Sequence, residues 1–408
     1  MFKDYRNMPK EANYLIYSMI FPNLAYGMFY MDLPYLLTQV RGVSAGFMGA
    51  LITIMGVSMV ASSVPFGILA DRFSRRRILI FGNVVASVTI AVFALTGNEV
   101  ILLAAALFEG LSEAAFSASA SALLADKATD EKRNSVFSFS GFTQSIAFGL
   151  GGFIIPVVAV FELFGYTVQE SHSILYVMIA ALSLASTIII LKVTESRKPR
   201  ERVKVTLGSL YPKKSGGVLW KYLLTSIIIA FGAGLVVPLM SVWFGYRFGV
   251  PDTLSGPILG ASSLLIGIAT LGSPPIARKL GIVKAIVVTQ AASTLFMFLT
   301  PAAPEFISAS IVYSFRSLLM NMASPLQQSM VMGLVHEDER GLASGISSAL
   351  WKLPSSLSTF IGAWLMGLGL LATPFYLASI FYLVSILMFW YFFRNTKLPE
   401  EMLTVVKT

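Results

Sequence analysis

The chain contains no cysteine and only two histidines among its 408 residues. The absence of cysteine excludes disulfides, thiol nucleophiles and thiolate metal sites. His172 and His336 fall in predicted loops on opposite faces, and neither has the spacing of a metal ligand. The sequence therefore predicts neither a metal site nor a cofactor.

Charged residues are also scarce, at 12% of the chain, whereas hydrophobic residues make up 56%. A water-soluble core could not hide so much apolar surface, so the composition is that of a polytopic membrane protein. The net charge of +9 comes from basic residues that punctuate apolar runs, and membrane topology explains them better than nucleic-acid binding does. We therefore expect the lipid bilayer as a partner and no nucleic acid.

Apolar runs long enough to cross about 30 Å of hydrocarbon recur twelve times along the sequence. The first run is too long for a signal-peptide core, so we expect it to be a retained helix. The predicted spans are 12–37, 44–66, 77–96, 99–125, 135–163, 172–192, 220–245, 253–276, 284–301, 305–334, 341–368 and 373–394.

The basic residues fix the expected orientation of these spans. Lysine and arginine near span ends are retained in the cytoplasm. With both termini in the cytoplasm, 26 of the 30 basic residues fall on the cytoplasmic side. This segregation supports an even number of spans in the cell membrane.

The two halves of the chain match each other at a constant offset of 207 positions. The offset also brings the basic loop at Asp71–Arg72 onto Arg278–Lys279. Six spans on each side of a polar segment predict an N-terminal bundle at 1–191, a cytoplasmic linker at 192–220 and a C-terminal bundle at 221–408. The matched pairs are Gly27 and Gly234, Gly42-Val43 and Gly249-Val250, Gly49 and Gly256, Ala70 and Ala277, and Arg133 and Arg340.

A short basic turn joins the second and third spans, with the sequence Gly67-x-Leu69-Ala70-Asp71-Arg72-x-Ser74-Arg75-Arg76. It resembles the loop signature between the second and third helices of the major facilitator superfamily, with Ser74 where that family usually has a second glycine. The resemblance covers nearly the whole chain. It implies twelve transmembrane helices in two pseudo-symmetric six-helix bundles that alternate access to a central cavity.

The same resemblance implies a cytoplasmic gate motif in which the halves latch during the transport cycle. Asp71 and Arg133 are its expected partners, while the alternative is that Asp71 only caps the third helix. Gly67 is expected to allow close helix approach. The second half keeps Arg340 but has Arg278 where Asp71 would be, so its latch is expected to differ. The gate residues are Gly67, Asp71, Arg72, Arg75, Arg76, Arg133 and Arg340.

Ionisable residues inside spans are costly and therefore indicate function. Glu109 and Glu113 share a polar face of the fourth span, and Arg316 lies 207 positions after Glu109 on the equivalent helix. We expect Glu109 and Arg316 to line the central cavity, the alternative being a structural ion pair. Lys352 lies on a serine-rich face of the eleventh span, where it either faces the cavity or extends toward the cytoplasm.

The first span carries further candidates for the cavity. Asp32 in Met31-Asp32-Leu33-Pro34 resembles the first-helix aspartate motif of the drug:proton antiporters in that superfamily, and a capping carboxylate is the alternative. Asn23, Tyr26 and Tyr30 share another face of this span and either contact substrate or pack between helices. The glycines of the fifth span, at Gly141, Gly149, Gly151 and Gly152, resemble the glycine-rich antiporter motif without its Gly-Pro pair, and close packing is the alternative.

These features predict a secondary transporter, acting as a monomer, that exports small amphipathic molecules in exchange for protons. The expected proton carriers are Glu109, Glu113 and Asp32, in that order. Proton-coupled uptake of a carboxylate or amino-acid-like nutrient is the runner-up, and a non-transporting receptor is the alternative from another class. No nucleotide-binding loop or catalytic motif supports an enzyme.

Overall fold

The computed structural model describes residues 8–129, 132–194, 214–336 and 339–395 of the chain. These residues form fourteen α-helices and no β-strand, which confirms the all-α prediction. The chain divides into two compact units. Unit 1 comprises Met1–Arg200, Pro238–Leu264 and Thr359–Gly367, and unit 2 comprises Glu201–Val237, Leu265–Ser358 and Leu368–Thr408.

The helices follow one another with short connections. Boundaries between the two units fall inside the tenth and the thirteenth helix. In chain order the helices are α1 (Lys10–Tyr35), α2 (Ala45–Arg72), α3 (Arg75–Leu95), α4 (Glu99–Lys127), α5 (Arg133–Gly152), α6 (Val157–Leu163), α7 (Val168–Ile190), α8 (Gly216–Gly234), α9 (Met240–Phe248), α10 (Asp252–Leu280), α11 (Ile282–Leu299), α12 (Phe306–Leu334), α13 (Arg340–Gly367) and α14 (Thr373–Phe393).

Each of the twelve predicted spans coincides with one helix or with a pair of consecutive helices. The fifth span is α5 followed by α6, and the seventh is α8 and α9 joined through a short 3₁₀ turn at Val237–Leu239. A π-helical turn at Leu36–Val40 extends α1. Most of the predicted linker, at 195–213, lies outside the described residues.

Eight segments of the described chain are long and apolar enough to cross a membrane, by length and composition alone. The helices outside this set, α1, α10, α12 and α13, have 26 to 29 residues, which at 1.5 Å per residue also spans about 30 Å. Three of them carry the charged candidates Asp32, Arg316 and Lys352. Polar residues on α1, α12 and α13 therefore lower the hydropathy of segments that are long enough to span.

Side-chain caps set several helix starts, as expected for serine, threonine and asparagine. Ser44 and Ser74 accept hydrogen bonds at the starts of α2 and α3. Thr167 and Glu170 form a capping box at the start of α7. Because Asp71 lies inside α2 and Ser74 caps α3, the alternative that Asp71 caps the third helix is wrong.

The repeat is visible in backbone packing within each half. In unit 1 a Cβ added to Gly27 would lie 2.0 Å from the carbonyl oxygen of Phe148. In unit 2 a Cβ added to Gly234 would lie 1.9 Å from the carbonyl oxygen of Ser355. Gly27 and Gly234 are 207 positions apart, and so are Phe148 and Ser355. Equivalent helices therefore meet at equivalent glycines.

A second pair of contacts, inside unit 1, joins residues of the two sequence halves reciprocally. A Cβ at Gly49 on α2 would lie 3.2 Å from the Thr359 carbonyl oxygen on α13. A Cβ at Gly256 on α10 would lie 3.1 Å from the Gly152 carbonyl oxygen on α5. Both partners again differ by 207 positions. In each contact the glycine comes from one half of the sequence and the carbonyl from the other, and the second contact exchanges these roles.

The glycines of the fifth span divide between these packing sites and open space. Gly151 leaves room for the backbone of α1, because an added Cβ would lie 2.6 Å from the Met28 nitrogen. Gly149 packs against α10 in the same way. Close packing is therefore confirmed for Gly149, Gly151 and Gly152. An added Cβ at Gly141 or Gly67 would meet no atom of the described chain within 4 Å. The close helix approach expected at Gly67 is thus wrong in this structure.

Candidate functional site

Unit 1 contains a cavity of about 400 Å³ between α1, α2, α4 and α5. Its wall combines aromatic rings, methionines and polar side chains. Three residues predicted for the site, Tyr26, Tyr30 and Glu113, line this cavity together. The other lining residues are Met19, Asn23, Met59, Phe116, Ser117, Ala120, Ser121, Leu124, Phe137, Ser140, Gly141, Gln144 and Phe148.

Glu113 is the carboxylate of this cavity wall. The hydroxyl of Tyr30 donates a hydrogen bond of 3.0 Å to Glu113 Oε2. Tyr26 stacks on Tyr30 with a centroid distance of 5.8 Å. One turn apart on α1, the two tyrosines therefore present a flat aromatic surface beside one carboxylate.

Two amides complete the polar side of the cavity, namely Asn23, which the sequence placed on one face with Tyr26 and Tyr30, and Gln144, which was not predicted as a site residue. Asn23 donates to Met19 O at 2.7 Å, and its amide nitrogen lies 3.4 Å from Gln144 Oε1. Gln144 in turn donates to the Ser140 hydroxyl at 2.8 Å. Helical spacing of Ser140 and Gln144 on α5 was the available sequence signal.

Glu109 lies one turn before Glu113 on α4 and is fully buried. Its Oε2 accepts a hydrogen bond from the Thr89 hydroxyl on α3. Its Oε1 has no hydrogen-bond partner among the described residues. Glu109 thus belongs to unit 1 behind the cavity wall, and the structure brings it close to Glu113 along the same helix.

Arg316 is buried in unit 2, on α12. Its Nη2 donates to the Tyr382 hydroxyl on α14, and its guanidinium lies 5.4 Å from the Tyr382 ring and 5.8 Å from the Tyr313 ring. Such positions favour a cation over aromatic faces. Lys352 is half-buried on α13 in the same unit.

Asp32 does not line the 400 Å³ cavity. It is fully buried at the far end of α1, where His172 on α7 and Asp252 on α10 approach it. The prediction that His172 lies in a loop is wrong, because α7 begins four residues earlier and buries the imidazole. Asp252 was not predicted as a site residue. Its only sequence signal was a carboxylate at the start of a predicted span.

The basic turn between α2 and α3 is anchored to neighbouring helix ends of unit 1. Arg75 Nη1 contacts Asp126 Oδ2 at 2.7 Å and donates to the Ala122 carbonyl oxygen at 2.8 Å, both on α4. Arg76 Nη2 donates to the Leu191 carbonyl oxygen at 2.9 Å. In each contact an arginine of the turn lies at the C-terminal end of a helix, where the helix dipole favours a positive charge.

The remaining gate residues are less completely described. Arg72 is exposed at the end of α2. The side chains of Asp71, Arg133 and Arg340 lie outside the described part of the chain. The predicted pairing of Asp71 with Arg133 therefore stays a prediction, whereas Asp126 is an observed partner of Arg75 that the sequence did not indicate.

Long apolar helices around a half-polar cavity with buried carboxylates define a class of protein, the helical membrane transporters. The chain belongs to the Major Facilitator Superfamily, whose sequence model matches residues 15–359. It is therefore a membrane-spanning transporter with the twelve-helix fold of that family, and it acts on a small-molecule substrate.

Characterised relatives are distant in sequence but extend over most of the chain. The chain is 22% identical to Multidrug resistance protein 2 of Bacillus subtilis (strain 168) over 85% of its own length and 86% of that protein. It is 27% identical to the class C tetracycline resistance protein of Escherichia coli over 80% of the chain and 85% of that protein.

Solved structures show the same fold at still lower identity. The nucleoside transporter NupG superposes with a TM-score of 0.74 and 12% identity, covering 95% of this chain and all of that one. A bacterial homologue of the lysosomal transporter Spinster, inward-facing and unoccupied, gives a TM-score of 0.73 with 93% and 96% coverage. This likeness concerns the fold alone.

Proposed function

We propose that the protein exports small amphipathic organic molecules from the cytoplasm in exchange for protons. The observation that carries the proposal is the cavity of unit 1, where aromatic rings and methionines surround a single carboxylate, Glu113. Aromatic and methionine side chains adapt to apolar ligands of varied shape, and one carboxylate selects for a cationic group. The multidrug and tetracycline resistance proteins among its relatives support the same direction of transport.

Glu113 and Glu109 are the proposed proton carriers. A carboxylate inside a span is costly when charged, so it takes up a proton unless a cation compensates it. Glu113 faces the cavity, where a cationic substrate and a proton would compete for its carboxylate, and Glu109 lies one turn away. Exchange of a proton for a cation at one carboxylate couples the two movements in opposite directions.

Unit 2 is proposed to contribute Arg316 and Lys352 to substrate binding. Arg316 is held by Tyr313 and Tyr382, so its charge stays at one position in unit 2. The double variant Glu109→Gln, Arg316→Gln tests both residues at once. We expect it to lose transport, and full transport would remove both residues from the mechanism.

The proposed gate uses the basic turn between α2 and α3 at the cytoplasmic face of the cell membrane. Arg75 contacts Asp126, which supports a role of this turn in the gate, and Asp71, Arg133 and Arg340 are further proposed gate residues. The protein is proposed to act as a monomer with both termini in the cytoplasm. Helix ends joined by charged contacts can separate and rejoin as the cavity opens to alternate sides.

The decisive experiment measures flux of ethidium, a flat amphipathic cation, in proteoliposomes with an imposed pH gradient. We expect ethidium to move against the direction of proton flow, and Glu113→Gln to reduce this flux at least tenfold. Glu99→Gln is the matched control, because Glu99 is an exposed carboxylate at the start of the same helix. Proton-driven flux that persists in Glu113→Gln would contradict the proposal.

Direction is tested separately from coupling. Substrate-dependent proton release from the purified protein indicates exchange. Accumulation of a carboxylate or amino acid driven by an inward proton gradient would instead support the runner-up, nutrient uptake. Binding of ethidium without any flux would support the alternative of a non-transporting receptor.

A further inference from the structure

A second cluster of ionisable residues lies outside the cavity, where α1, α7 and α10 approach one another in unit 1. Asp32, His172 and Asp252 are 0%, 1% and 2% exposed. His172 Nε2 lies 3.3 Å from Asp252 Oδ2 and 3.7 Å from Asp32 Oδ1. One imidazole nitrogen therefore faces two carboxylates from two other helices.

The backbone of α7 determines which nitrogen of the His172 ring carries a proton. His172 Nδ1 lies 2.7 Å from the Val168 carbonyl oxygen, one turn earlier, and donates its proton there. The Tyr35 ring stacks on the imidazole at a centroid distance of 6.3 Å. Nε2 lies within hydrogen-bond distance of Asp252 Oδ2, and loss of the proton shared there directs the Nε2 lone pair at the two carboxylates. Histidine ligands of metals have this arrangement, with the other ring nitrogen donating to a backbone carbonyl.

Asp32 supplies a separate observation that points to a ligand. Both of its carboxylate oxygens are buried without a hydrogen bond of good geometry among the described residues, and the Tyr176 hydroxyl and Asp252 face this carboxylate. Burial of a carboxylate without such hydrogen bonds is unfavourable. With a neutral histidine the cluster carries two negative charges, which a divalent cation would neutralise in full.

The spacing of the three donor atoms also fits a small cation. A tetrahedral zinc ion with ligands at about 2.0–2.2 Å requires neighbouring ligand atoms to lie about 3.3–3.6 Å apart. Of the two distances from Nε2, 3.3 Å fits this requirement and 3.7 Å is slightly longer than it. Ligand atoms from all three residues lie within 4.8 Å of one another. Small side-chain adjustments are therefore enough to close the site around a metal.

We propose that Asp32, His172 and Asp252 form a binding site for a divalent transition-metal cation of the Zn²⁺ type. One imidazole nitrogen and two carboxylates, with no thiolate in the chain, suit Zn²⁺ or Mn²⁺ and not Cu⁺. Bound there, the cation joins the ends of three helices in unit 1. The site is separate from the ethidium cavity and does not rest on the proposed function.

Tyr176 is a candidate donor for the fourth coordination position. It lies one turn after His172 on the same face of α7, and its buried hydroxyl faces Asp32. A water molecule is the other candidate. Unchanged Zn²⁺ binding by Tyr176→Phe would leave water as the fourth ligand.

The test is a Zn²⁺ titration of the full-length protein in detergent, with any affinity tag removed and bound metal stripped by a chelator. We expect one Zn²⁺ per chain. His172→Gln and Asp252→Asn are each expected to weaken Zn²⁺ binding at least tenfold. His336→Gln is the matched control, because it removes the other histidine, which is exposed between α12 and α13, and is expected to bind as the wild type does.

Cobalt provides a readout that does not depend on the stability of the variants. Wild-type protein loaded with Co²⁺ is expected to show the intense visible absorption of four-coordinate cobalt, even where a variant fails to purify as a single species. Equal Zn²⁺ binding by wild type and His172→Gln would overturn the proposal. So would wild-type protein that binds neither Zn²⁺ nor Co²⁺, which would leave an imidazolium held between two carboxylates.

Discussion

Arg316 shows how this protein accommodates a buried cation through aromatic side chains. Its guanidinium donates to the Tyr382 hydroxyl and lies near the rings of Tyr382 and Tyr313. A hydrogen bond to a charged group stabilises more than one between neutral groups, because the charge would otherwise lack compensation. Removal of the Tyr382 hydroxyl therefore tests how far the position of Arg316 depends on this hydrogen bond.

We expect Tyr382→Phe to destabilise the protein by about 1.5–3 kcal/mol, since it leaves a buried guanidinium donor without its acceptor. Thermal unfolding in detergent measures the effect. Tyr376→Phe on the same helix is the control, because Tyr376 is 38% exposed. An equal change in both variants would show that the Arg316 contact contributes nothing specific.

Glu11, on the first turn of α1 and outside the apolar span, ties together three helix ends. Its Oε2 contacts Lys127 Nζ at 2.6 Å, and its Oε1 accepts from the Thr194 backbone nitrogen at 3.1 Å. Hydrogen bonds from Lys127 and then Thr194 lower the pKa of Glu11 from 4.5 to about 2. The stabilisation is therefore fully present above about pH 4.5 and is lost as the pH falls toward 2.

Glu11→Gln should consequently lower the unfolding midpoint at pH 7 and lose this effect as the pH falls from 4.5 toward 2. The measurement is the difference in midpoint between variant and wild type at pH 7 and at pH 3. Glu99→Gln, at an exposed carboxylate, controls for the removal of charge alone. A difference that grows on acidification would contradict the assignment.

Helical spacing predicted part of the site at this scale. Glu113, Tyr26 and Tyr30, which helical spacing placed on polar faces of the fourth and first spans, line the cavity together, whereas Glu109 lies behind its wall. The contact of Asp32 with His172 and Asp252 was beyond prediction. Periodicity gives the face of a helix but not which distant helix lies against it.

Among the elements, α8 offers a controlled test of close packing. Gly234 has no room for a Cβ, which would lie 1.9 Å from the Ser355 backbone oxygen, whereas Gly217 on the same helix faces open space. We expect Gly234→Ala to destabilise by about 1–3 kcal/mol or to prevent folding. Gly217→Ala should be neutral or stabilising by up to about 1 kcal/mol. Unfolding midpoints in detergent compare them, and equal midpoints would contradict the packing.

Helix number was predictable from hydropathy, but helix interruptions were not. The fifth span breaks at residues 153–156 between α5 and α6, and the seventh breaks between α8 and α9. Both breaks lie inside continuous apolar runs. Length and hydropathy report whether a run can span, and they do not report a local departure from helical geometry.

For the whole molecule, the absence of cysteine makes the predicted orientation directly measurable. Phe73 in the basic turn is 72% exposed, and Phe164 between α6 and α7 is 78% exposed. In intact cells, we expect a membrane-impermeant maleimide to label Phe164→Cys and not Phe73→Cys. Both should react after permeabilisation, which is the control for reactivity. Labelling of Phe73→Cys in intact cells would invert the orientation.

The offset of 207 positions predicted the internal repeat, and the matched glycine contacts now give it a structural basis. The partners of the gate arginines could not be predicted, because charge alone does not choose between nearby acidic residues. Arg75 contacts Asp126, while the sequence motif had directed attention to Asp71.

The reciprocal contacts of Gly49 with Thr359 and of Gly256 with Gly152 have the pattern of an isologous interface. In such an interface, a residue i of one subunit contacts a residue j of the other, and residue j of the first subunit contacts residue i of the second. The two contacts therefore repeat one interaction in reverse order, as the equivalent contacts of a symmetric dimer do, and here a single polypeptide makes both.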